Sequence, residues 1–517
     1  GGIAAETFTY DDWGKLATRN LSNGVSHAYA YSYRDDAAHT LSEIGIKGLA
    51  IRPKQDVNGR VSEKTISDTT GVLTGEYYYY AKYGDHATNR ISTIRYGNRK
   101  GGKYVIGDGI KYEYDRMGNI SKVYENGAML ASYTYDGVNR LIREDNKRLN
   151  KTSLFTYDNN GNILTKRESA YTVKSMEEIE NATELRYRYD AASDRLMSVG
   201  EESFEYDAIG NPEQYKGIAV TWTKGRQMTG YGEMTFSYDG RGMRRSKRKG
   251  NGTAIEYTYD SEGRLIKESN GLEYIYDESG TAGVIHNGTP YLYRKNAQGD
   301  IIGLIDNTGR VVVNYVYDGW GNHRIYGAEG EEITDAAHIG SLNPIRYRGY
   351  YYDTETKLYF LKTRYYDPEL CRFVTIDDTA YLDPNAINGL NLYAYCLNNP
   401  VMFIDPNGNA WWEFWKWDWG KIFTGIGMVI TAVAAVALSV VTFGAGTPLA
   451  VGIIAGITLA GGVLTGINGI ATIGEGISGG YNFVRDGLFN EVLGLSDRAY
   501  NIYAGVAEGV AIVGSMI

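Results

Sequence analysis

The chain contains 517 residues, which exceeds the span of a single hydrophobic core, so it forms several domains or one extended repetitive architecture. Its 53 Lys and Arg residues against 62 Asp and Glu residues give a net charge of −9 with no basic block, which argues against a binder of nucleic-acid phosphates. Two cysteines, Cys371 and Cys396, are too few for a disulfide framework and lack a partner set for a zinc site. The first residues hold neither Met nor an apolar leader, which indicates part of a longer protein.

A repeated unit, aromatic-x-Tyr-Asp-x-x-Gly, is the strongest signal in the N-terminal part of the chain. Its Tyr-Asp pairs begin at residues 10, 114, 157, 206, 238, 259, 276 and 317, with degenerate copies at 135 and 189. Aromatic residues two positions apart lie on one face of a strand, the Asp accepts hydrogen bonds from a turn, and the Gly supplies a positive φ. Each unit therefore predicts a β-hairpin, and the array predicts a long antiparallel sheet that must curl, pair or close to hide its apolar face. The content of 65 Gly and 46 Tyr residues agrees with strands and turns.

A calcium loop is the functional alternative for these turns, and the stretch from Asp158 to Asn162 comes closest to one. It lacks the ligand spacing and the closing Glu that such a loop requires. We therefore interpret the Tyr-Asp units as structural, and no pattern in the chain predicts a metal site or a cofactor.

A second pattern fills residues 346–408, where short motifs rich in Tyr, Arg, Asn and Pro follow one another. In order they are Arg346-Tyr347-Arg348-Gly349-Tyr350-Tyr351-Tyr352-Asp353, Leu358-Tyr359, Arg364-Tyr365-Tyr366-Asp367-Pro368, Arg372-Phe373, Asn391-Leu392-Tyr393-Ala394-Tyr395, Asn398-Asn399-Pro400 and Asp405-Pro406-Asn407-Gly408. Taken by itself, the last tetrapeptide is typical of a β-turn, because Asp caps it, Pro sets φ and Gly ends it.

The Tyr-Asp units resemble those of Rhs (YD-repeat) proteins, and residues 346–408 resemble the Rhs-associated core domain. The resemblance implies a mainly β fold, in which a spiralling antiparallel sheet forms a hollow cocoon around a C-terminal cargo, usually a toxin, and the core domain closes one end. It also implies similarity to the encapsulating subunits of insecticidal toxin complexes and to effectors of interbacterial competition. We expect a repeat shell over residues 1–340, a core domain over 341–409 and a hydrophobic helical region over 410–517.

Core domains of this family often cut their own chain by an aspartic-peptidase-like reaction, so the resemblance implies a possible single-turnover peptidase here. The chemistry needs two carboxylates that act as general base and general acid, with a cation beside them. The matching positions are the catalytic aspartates Asp377 and Asp405, the cation Arg364, the turn residues Pro406 and Gly408, and the cleaved pair Asn409 and Ala410.

Three positions depart from the family pattern. Cys371 stands where Gly is usual, Asp378 where Pro often follows the first aspartate, and Asn409 where Leu is usual at the cut. Asp377 and Asp378 therefore compete for one role. A cysteine peptidase is the alternative chemistry, but all six His residues precede both cysteines and none forms a recognisable dyad motif, so we expect the cysteines to be buried small apolar residues.

The region after residue 409 differs in kind from the rest of the chain. Five of the eight Trp residues lie within 411–419, a belt that fits either a membrane interface or packing inside the shell. No charged residue occurs over 422–474, and the apolar segments 422–443 and 449–473 are long enough to cross a bilayer as helices. We expect a hairpin of two helices.

The first hypothesis is a secreted or cell-surface shell that encloses its own C-terminal cargo and self-cleaves near residue 409 to release a hydrophobic effector or translocation segment. Its expected partners are that cargo, a secretion or delivery machine, an immunity protein and a target membrane, with no nucleic acid. In an extension, the freed segment forms a pore. The alternative is a non-cleaving structural or adhesive surface protein anchored by the hairpin. Separation of the residues after 409 distinguishes the two.

Overall fold

A computed structural model describes residues 2–12, 14–22, 27–34, 41–83, 86–179, 181–377, 391–408 and 412–413. Residues 1–260, 265–277 and 281–414 form one compact unit. Residues 261–264 and 278–280 are grouped outside this unit, and residues 414–517 lie outside the described residues. The described part of the chain is almost entirely antiparallel strand, as the sequence predicts.

The first sheet contains strands β2 to β19, and its strand order closes on itself. Their bounds are β2 Glu6–Tyr10, β3 Leu16–Leu21, β4 His27–Tyr33, β5 Leu41–Ile46, β6 Leu49–Gln55, β7 Val61–Asp68, β8 Gly71–Tyr83, β9 His86–Lys100, β10 Lys103–Ile106, β11 Ile110–Tyr114, β12 Ile120–Glu125, β13 Ala128–Tyr135, β14 Leu141–Asn146, β15 Lys151–Tyr157, β16 Ile163–Ser169, β17 Thr183–Tyr189, β18 Leu196–Val199 and β19 Glu202–Ser203.

The second sheet has 15 strands, β20 to β33 in chain order with β1 joined in parallel to β26. Their bounds are β1 Gly2–Ile3, β20 Glu205–Tyr206, β21 Pro212–Tyr215, β22 Ile218–Thr223, β23 Gln227–Tyr231, β24 Met234–Tyr238, β25 Arg244–Lys249, β26 Ile255–Tyr259, β27 Leu265–Glu268, β28 Leu272–Asp277, β29 Gly280–His286, β30 Thr289–Lys295, β31 Ile301–Ile305, β32 Val311–Tyr317 and β33 His323–Gly327.

Two small sheets follow in the region expected to be the core domain. They consist of β34 Tyr351–Asp353, β35 Leu358–Phe360, β36 Tyr365–Asp367 and β37 Arg372–Phe373, and of β38 Phe403–Ile404 with β39 Trp412–Glu413. The helices described are one short α-helix, Ile339–Leu342, and the 3₁₀ turns Met176–Glu178, Tyr347–Gly349 and Cys396–Asn398.

The turns of several repeats have the chemistry that their sequence predicts. In the unit at Asp158, the carboxylate Oδ1 accepts the backbone N–H of Asn160 at 2.9 Å and of Asn162 at 2.8 Å. Gly161, at φ +82°, donates its N–H to the Asp158 carbonyl at 3.2 Å. The turns at Asp207 and Asp318 repeat this arrangement. The prediction of a hairpin turn is confirmed. The Asp158 carboxylate stabilises that turn by accepting hydrogen bonds from its backbone.

The repeat tyrosines add a contact that the sequence reasoning did not anticipate. The hydroxyls of six repeat tyrosines donate to the carbonyl of the first residue in the return strand of the preceding hairpin. The pairs are Tyr135 to Ile120 at 2.7 Å, Tyr157 to Leu141 at 2.6 Å, Tyr189 to Ile163 at 2.9 Å, Tyr259 to Arg244 at 2.7 Å, Tyr276 to Leu265 at 2.7 Å and Tyr317 to Ile301 at 2.7 Å. Because Phe has no hydroxyl, it could not make this contact, which is a physical reason for Tyr at these six positions.

Apolar side chains from both large sheets share one core. Ile44 and Ile51 of the first sheet pack in the same buried cluster as Ile275 and Ile285 of the second. A neighbouring cluster joins strands of the second sheet to Tyr351 of β34. Apolar packing therefore joins the two large sheets to each other and, in a second cluster, joins the second sheet to the small sheet that follows.

The residues after 340 also attach to the repeats through buried polar contacts. The Arg244 guanidinium pairs with the Asp353 carboxylate at 2.5 Å, and both side chains are fully buried. Side-chain amides of Asn391, Asn398 and Asn399 donate to the turn regions at Asn162, Gly161 and Asn119. These bonds hold Asn391, Asn398 and Asn399 against the repeat turns of the first sheet.

Glu144 joins the two large sheets at one turn. Its Oε2 accepts the backbone N–H of Gly319 at 2.8 Å, in the turn between β32 and β33. Lys151, one strand away, pairs with Asp318 of the same turn at 2.7 Å. Burial, with the negative charge of Asp318 as a second cause, raises the pKa of Glu144 from its ordinary value of 4.5 to about 7.

No helix among the described residues combines the length and apolar character needed to cross a bilayer. The two apolar segments expected to form a helical hairpin, and the Trp-rich belt before them apart from Trp412, lie outside the described residues.

Tyr259→Phe is expected to lower the free energy of unfolding by about 1 to 3 kcal/mol, because it leaves the carbonyl of Arg244 without the buried donor it now has. The control is Tyr79→Phe, since Tyr79 is 48% exposed. The measurement is the midpoint of urea denaturation. Equal midpoints for the two variants would contradict the structural role of the hydroxyl.

Glu144→Gln is expected to change how stability depends on pH. The pKa of Glu144 is higher in the folded protein than in the unfolded chain, so the folded state holds the proton more tightly and this group favours folding increasingly as pH falls from about 7 to 4.5. The variant should lose that component. Denaturation midpoints of both proteins at pH 7.5 and 5.0 test this, and identical pH dependence would contradict it.

Candidate functional site

The candidate site lies where three short strand ends meet. Arg364 directly precedes β36, Asp377 follows β37, and Asp405 directly follows β38. The segment carrying Asp377 is held by two backbone bonds, from Phe373 N–H to the Tyr393 carbonyl at 3.0 Å and from Asp377 N–H to the Leu392 carbonyl at 3.2 Å. Residues 13 to 41 positions apart in sequence are thereby brought together.

Arg364 is the centre of the arrangement. Its Nη2 lies 2.6 Å from Asp377 Oδ2 and 3.5 Å from Asp405 Oδ2, so one nitrogen contacts both carboxylates. Its Nη1 donates to the Leu392 carbonyl at 2.9 Å, and its Nε donates to the Gly408 carbonyl. The guanidinium carbon stands 3.5 Å from the centre of the Phe373 ring. The side chain is therefore fixed in a single orientation.

The three charged groups are buried together. The exposed fraction is 4% for Arg364, 6% for Asp377 and 2% for Asp405. Burial lowers the pKa of the Arg364 guanidinium from its usual value, while the two carboxylates oppose that effect. Since isolated charges are strongly disfavoured in an apolar interior, each member of the cluster depends on the others.

Asp405 also organises the turn that follows it. Its Oδ1 accepts the N–H of Gly408 at 2.8 Å, and its own N–H donates to the Tyr350 hydroxyl at 3.0 Å. Gly408 has φ +85°, and a methyl group there would come within 2.6 Å of Thr363 Oγ1. The Asp-Pro-Asn-Gly turn predicted from the sequence is thus present, and only Gly fits its last position without strain.

The predicted residues divide into two groups. Arg364, Asp377 and Asp405 come together, with Pro406 and Gly408 in the adjoining turn. Asn409, Ala410 and Asp378 lie outside the described residues. Sequence reasoning missed the Phe373 ring and the Tyr350 hydroxyl, because nothing in a Tyr-rich run marks which ring will face the cluster.

The two cysteines are both free and buried. Burial raises the pKa of both thiols well above the usual range, which disfavours the nucleophilic thiolate. This agrees with their interpretation as small apolar residues. Within the described ranges, no group of three or more His, Cys, Asp or Glu side chains is arranged to hold a metal ion.

Comparison with known proteins places these features in a family context. The Teneurin YD-shell family model matches residues 146–401. The tRNA nuclease WapA of Bacillus subtilis is 33% identical over 296 residues, which is 54% of this chain and 12% of WapA. Toxin protein Tse5 of Pseudomonas aeruginosa is 44% identical over 66 residues, 13% of this chain and 5% of Tse5. The chain thus spans a small part of these relatives.

Among solved structures, the fold is similar to that of the Photorhabdus luminescens Tc holotoxin pore with an Asp-to-Ala substitution in TccC3. The TM-score is 0.60 at 19% identity, covering 78% of this chain and 21% of the other. The likeness establishes a shared fold for the strands described above.

Arg364→Met is expected to lower the free energy of unfolding by about 3 to 5 kcal/mol, because it removes the cation from two buried carboxylates. The control is Arg241→Met, since the Arg241–Asp239 pair is 43% and 29% exposed and should contribute little. Denaturation midpoints measure both effects. A midpoint for Arg364→Met as high as that of the control would contradict the burial argument.

Proposed function

Because this chain is a shell protein of the Rhs (YD-repeat) family, we propose that it encloses the region after residue 409 and releases it by cutting its own chain between Asn409 and Ala410. In this proposal residues 1–340 are the shell, 341–409 the core domain and 410–517 the beginning of the enclosed region. The single observation that supports cleavage most strongly is that Arg364 contacts both Asp377 and Asp405.

The proposed reaction is hydrolysis of one peptide bond. One carboxylate accepts a proton from water as the oxygen attacks the Asn409 carbonyl, and the other carboxyl group donates a proton to the departing Ala410 nitrogen. A carboxylate on Asn409 and an amine on Ala410 result, with one water consumed. Asp377, which makes the shorter contact with Arg364, is assigned the base, and Asp405 the acid.

The position of the preceding residues agrees with this assignment. Gly408 is bonded through its N–H to Asp405 and through its carbonyl to Arg364. The residue immediately before Asn409 is therefore tied to two of the three proposed catalytic groups. Holding a reacting bond beside its catalytic groups is itself a large part of catalysis.

The proposed cargo is a hydrophobic effector or translocation segment, since residues 422–474 carry no charge. Relatives named as a nuclease and a toxin, and the fold shared with a holotoxin component, support a shell that serves delivery outside the producing cell. A delivery machine, a target membrane and an immunity protein are the partners that this function requires. Pore formation by the released segment is an extension that liposome leakage would test.

Intact-mass measurement under denaturing conditions tests the cleavage directly. The native chain is expected to give fragments of 409 and 108 residues, counted from the sequence on either side of the proposed cut. Asp377→Asn and Asp405→Asn should each leave the chain whole, because each removes one of the two proton-transferring groups. The loss of cleavage should be at least about 100-fold in rate.

Asp378→Asn is the matched control, since this neighbour of Asp377 is expected to leave cleavage intact. If Asp378→Asn lost cleavage and Asp377→Asn kept it, the general base would be Asp378 and not Asp377. A single intact mass for every protein would instead favour a non-cleaving structural or adhesive surface protein with its hydrophobic region covalently attached.

A further inference from the structure

We infer that Thr363 is a positioning residue for the proposed self-cleavage, holding the chain just before the cut. The inference rests on the proposed function and extends it to a residue outside the charged cluster. Thr363 immediately precedes Arg364 and bonds to Asn407, whereas Asp405 bonds to Gly408.

The contact is made mainly by the Thr363 hydroxyl, since the Thr363 N–H donates to the Leu361 carbonyl at 2.9 Å and only approaches the segment at longer range. The Thr363 hydroxyl donates to the Asn407 carbonyl at 2.7 Å, and the Thr363 N–H approaches the same oxygen at 3.3 Å. The next residue in each segment continues the pattern, because Arg364 Nε donates to the Gly408 carbonyl. Two successive carbonyls before the proposed cut are thus held by two successive residues of the core domain.

A tight turn presents Thr363 in this orientation. The Leu361 N–H donates to the Arg364 carbonyl at 2.9 Å, and Lys362 adopts φ +70°, which is rare for a residue with a side chain. A turn held in a sparsely populated conformation is typical of sites where geometry serves a function. The turn uses the Thr363 N–H within itself and directs the Thr363 hydroxyl at the Asn407 carbonyl.

The backbone of Gly408 also packs closely against Thr363. A Cβ at residue 408 would lie 2.6 Å from Thr363 Oγ1 and 3.2 Å from the Arg364 backbone nitrogen. The backbone of Gly408 therefore runs directly against this turn. The Thr363 side chain is small enough to leave room for the backbone of Gly408, and its hydroxyl bonds to the carbonyl of Asn407.

The exposure of the Thr363 side chain distinguishes a role in positioning the segment from a role in stabilising the fold. The Thr363 side chain is exposed, whereas Arg364 beside it is buried. An exposed hydroxyl contributes little to folding, because water replaces its bond when the chain unfolds. Its removal should therefore affect the placement of the 407–408 segment more than the stability of the domain.

The test compares the native full chain with Thr363→Val, Thr363→Ser and Asp405→Asn. Thr363→Val keeps the shape and removes the donor, so we expect cleavage to slow by about 3- to 10-fold, with an unchanged denaturation midpoint. Thr363→Ser keeps the hydroxyl and should restore the rate to within about twofold of the native chain. Thr354→Val, at another exposed threonine, controls for loss of a hydroxyl in general.

The outcomes distinguish this inference from the function on which it rests. Cleavage of Thr363→Val at the native rate, while Asp405→Asn stays whole, would overturn the role of Thr363 and keep the self-cleavage. A slow Thr363→Ser would also overturn it, because the hydroxyl would then not be the cause. A native chain that never cleaves overturns both.

A second measurement does not depend on cleavage. In the uncleaved Asp377→Asn chain, adding Thr363→Val should speed amide hydrogen exchange at Gly408, whose N–H is bonded to Asp405, by about 3- to 10-fold. Thr354→Val should leave that exchange unchanged. Equal exchange in the Thr363→Val and parent chains would show that the hydroxyl does not hold the segment.

Discussion

A buried tyrosine must bring its hydroxyl to an acceptor, and the repeats of this chain meet that requirement with a carbonyl of the neighbouring unit. Tyr157 reaches Leu141 and Tyr317 reaches Ile301 in the same way, although they lie in different sheets. The Asp and Gly of each unit close its own turn, whereas the Tyr joins that turn to the one before. Within each of the two large sheets, successive hairpins are thereby bonded through a side chain as well as through the backbone ladder.

The residues after 340 are attached to the repeats by buried charges of opposite sign. Arg244 with Asp353, and Arg348 with Asp300, lie between the repeats and the following residues. Such pairs contribute specificity of placement rather than large net stability, because desolvation offsets their attraction. Placement is what the Arg364 cluster requires, since its members come from separate short strands.

The cluster has features expected of a site as well as of a structural ion pair. One guanidinium serves two carboxylates, and it also bonds the carbonyl of Gly408, the last residue described before the proposed cut. Arg19 and Lys64 of the repeats also contact two carboxylates each, so the bond to the segment before the proposed cut is what sets Arg364 apart. The second carboxylate and the held segment are the basis for the proposed hydrolysis and for the role of Thr363.

The sequence alone determined the repeats, because Tyr, Asp and Gly at fixed spacing act through bonds within one turn, as at Asp158 and Gly161. The family resemblance identified Arg364, Asp377 and Asp405 as candidates. The fold places them in contact. The acceptors of the tyrosine hydroxyls, the Phe373 ring under Arg364 and the grip of Thr363 on Asn407 were decided by tertiary structure only. These contacts join residues distant in the chain or in separate units, so no local periodicity records them.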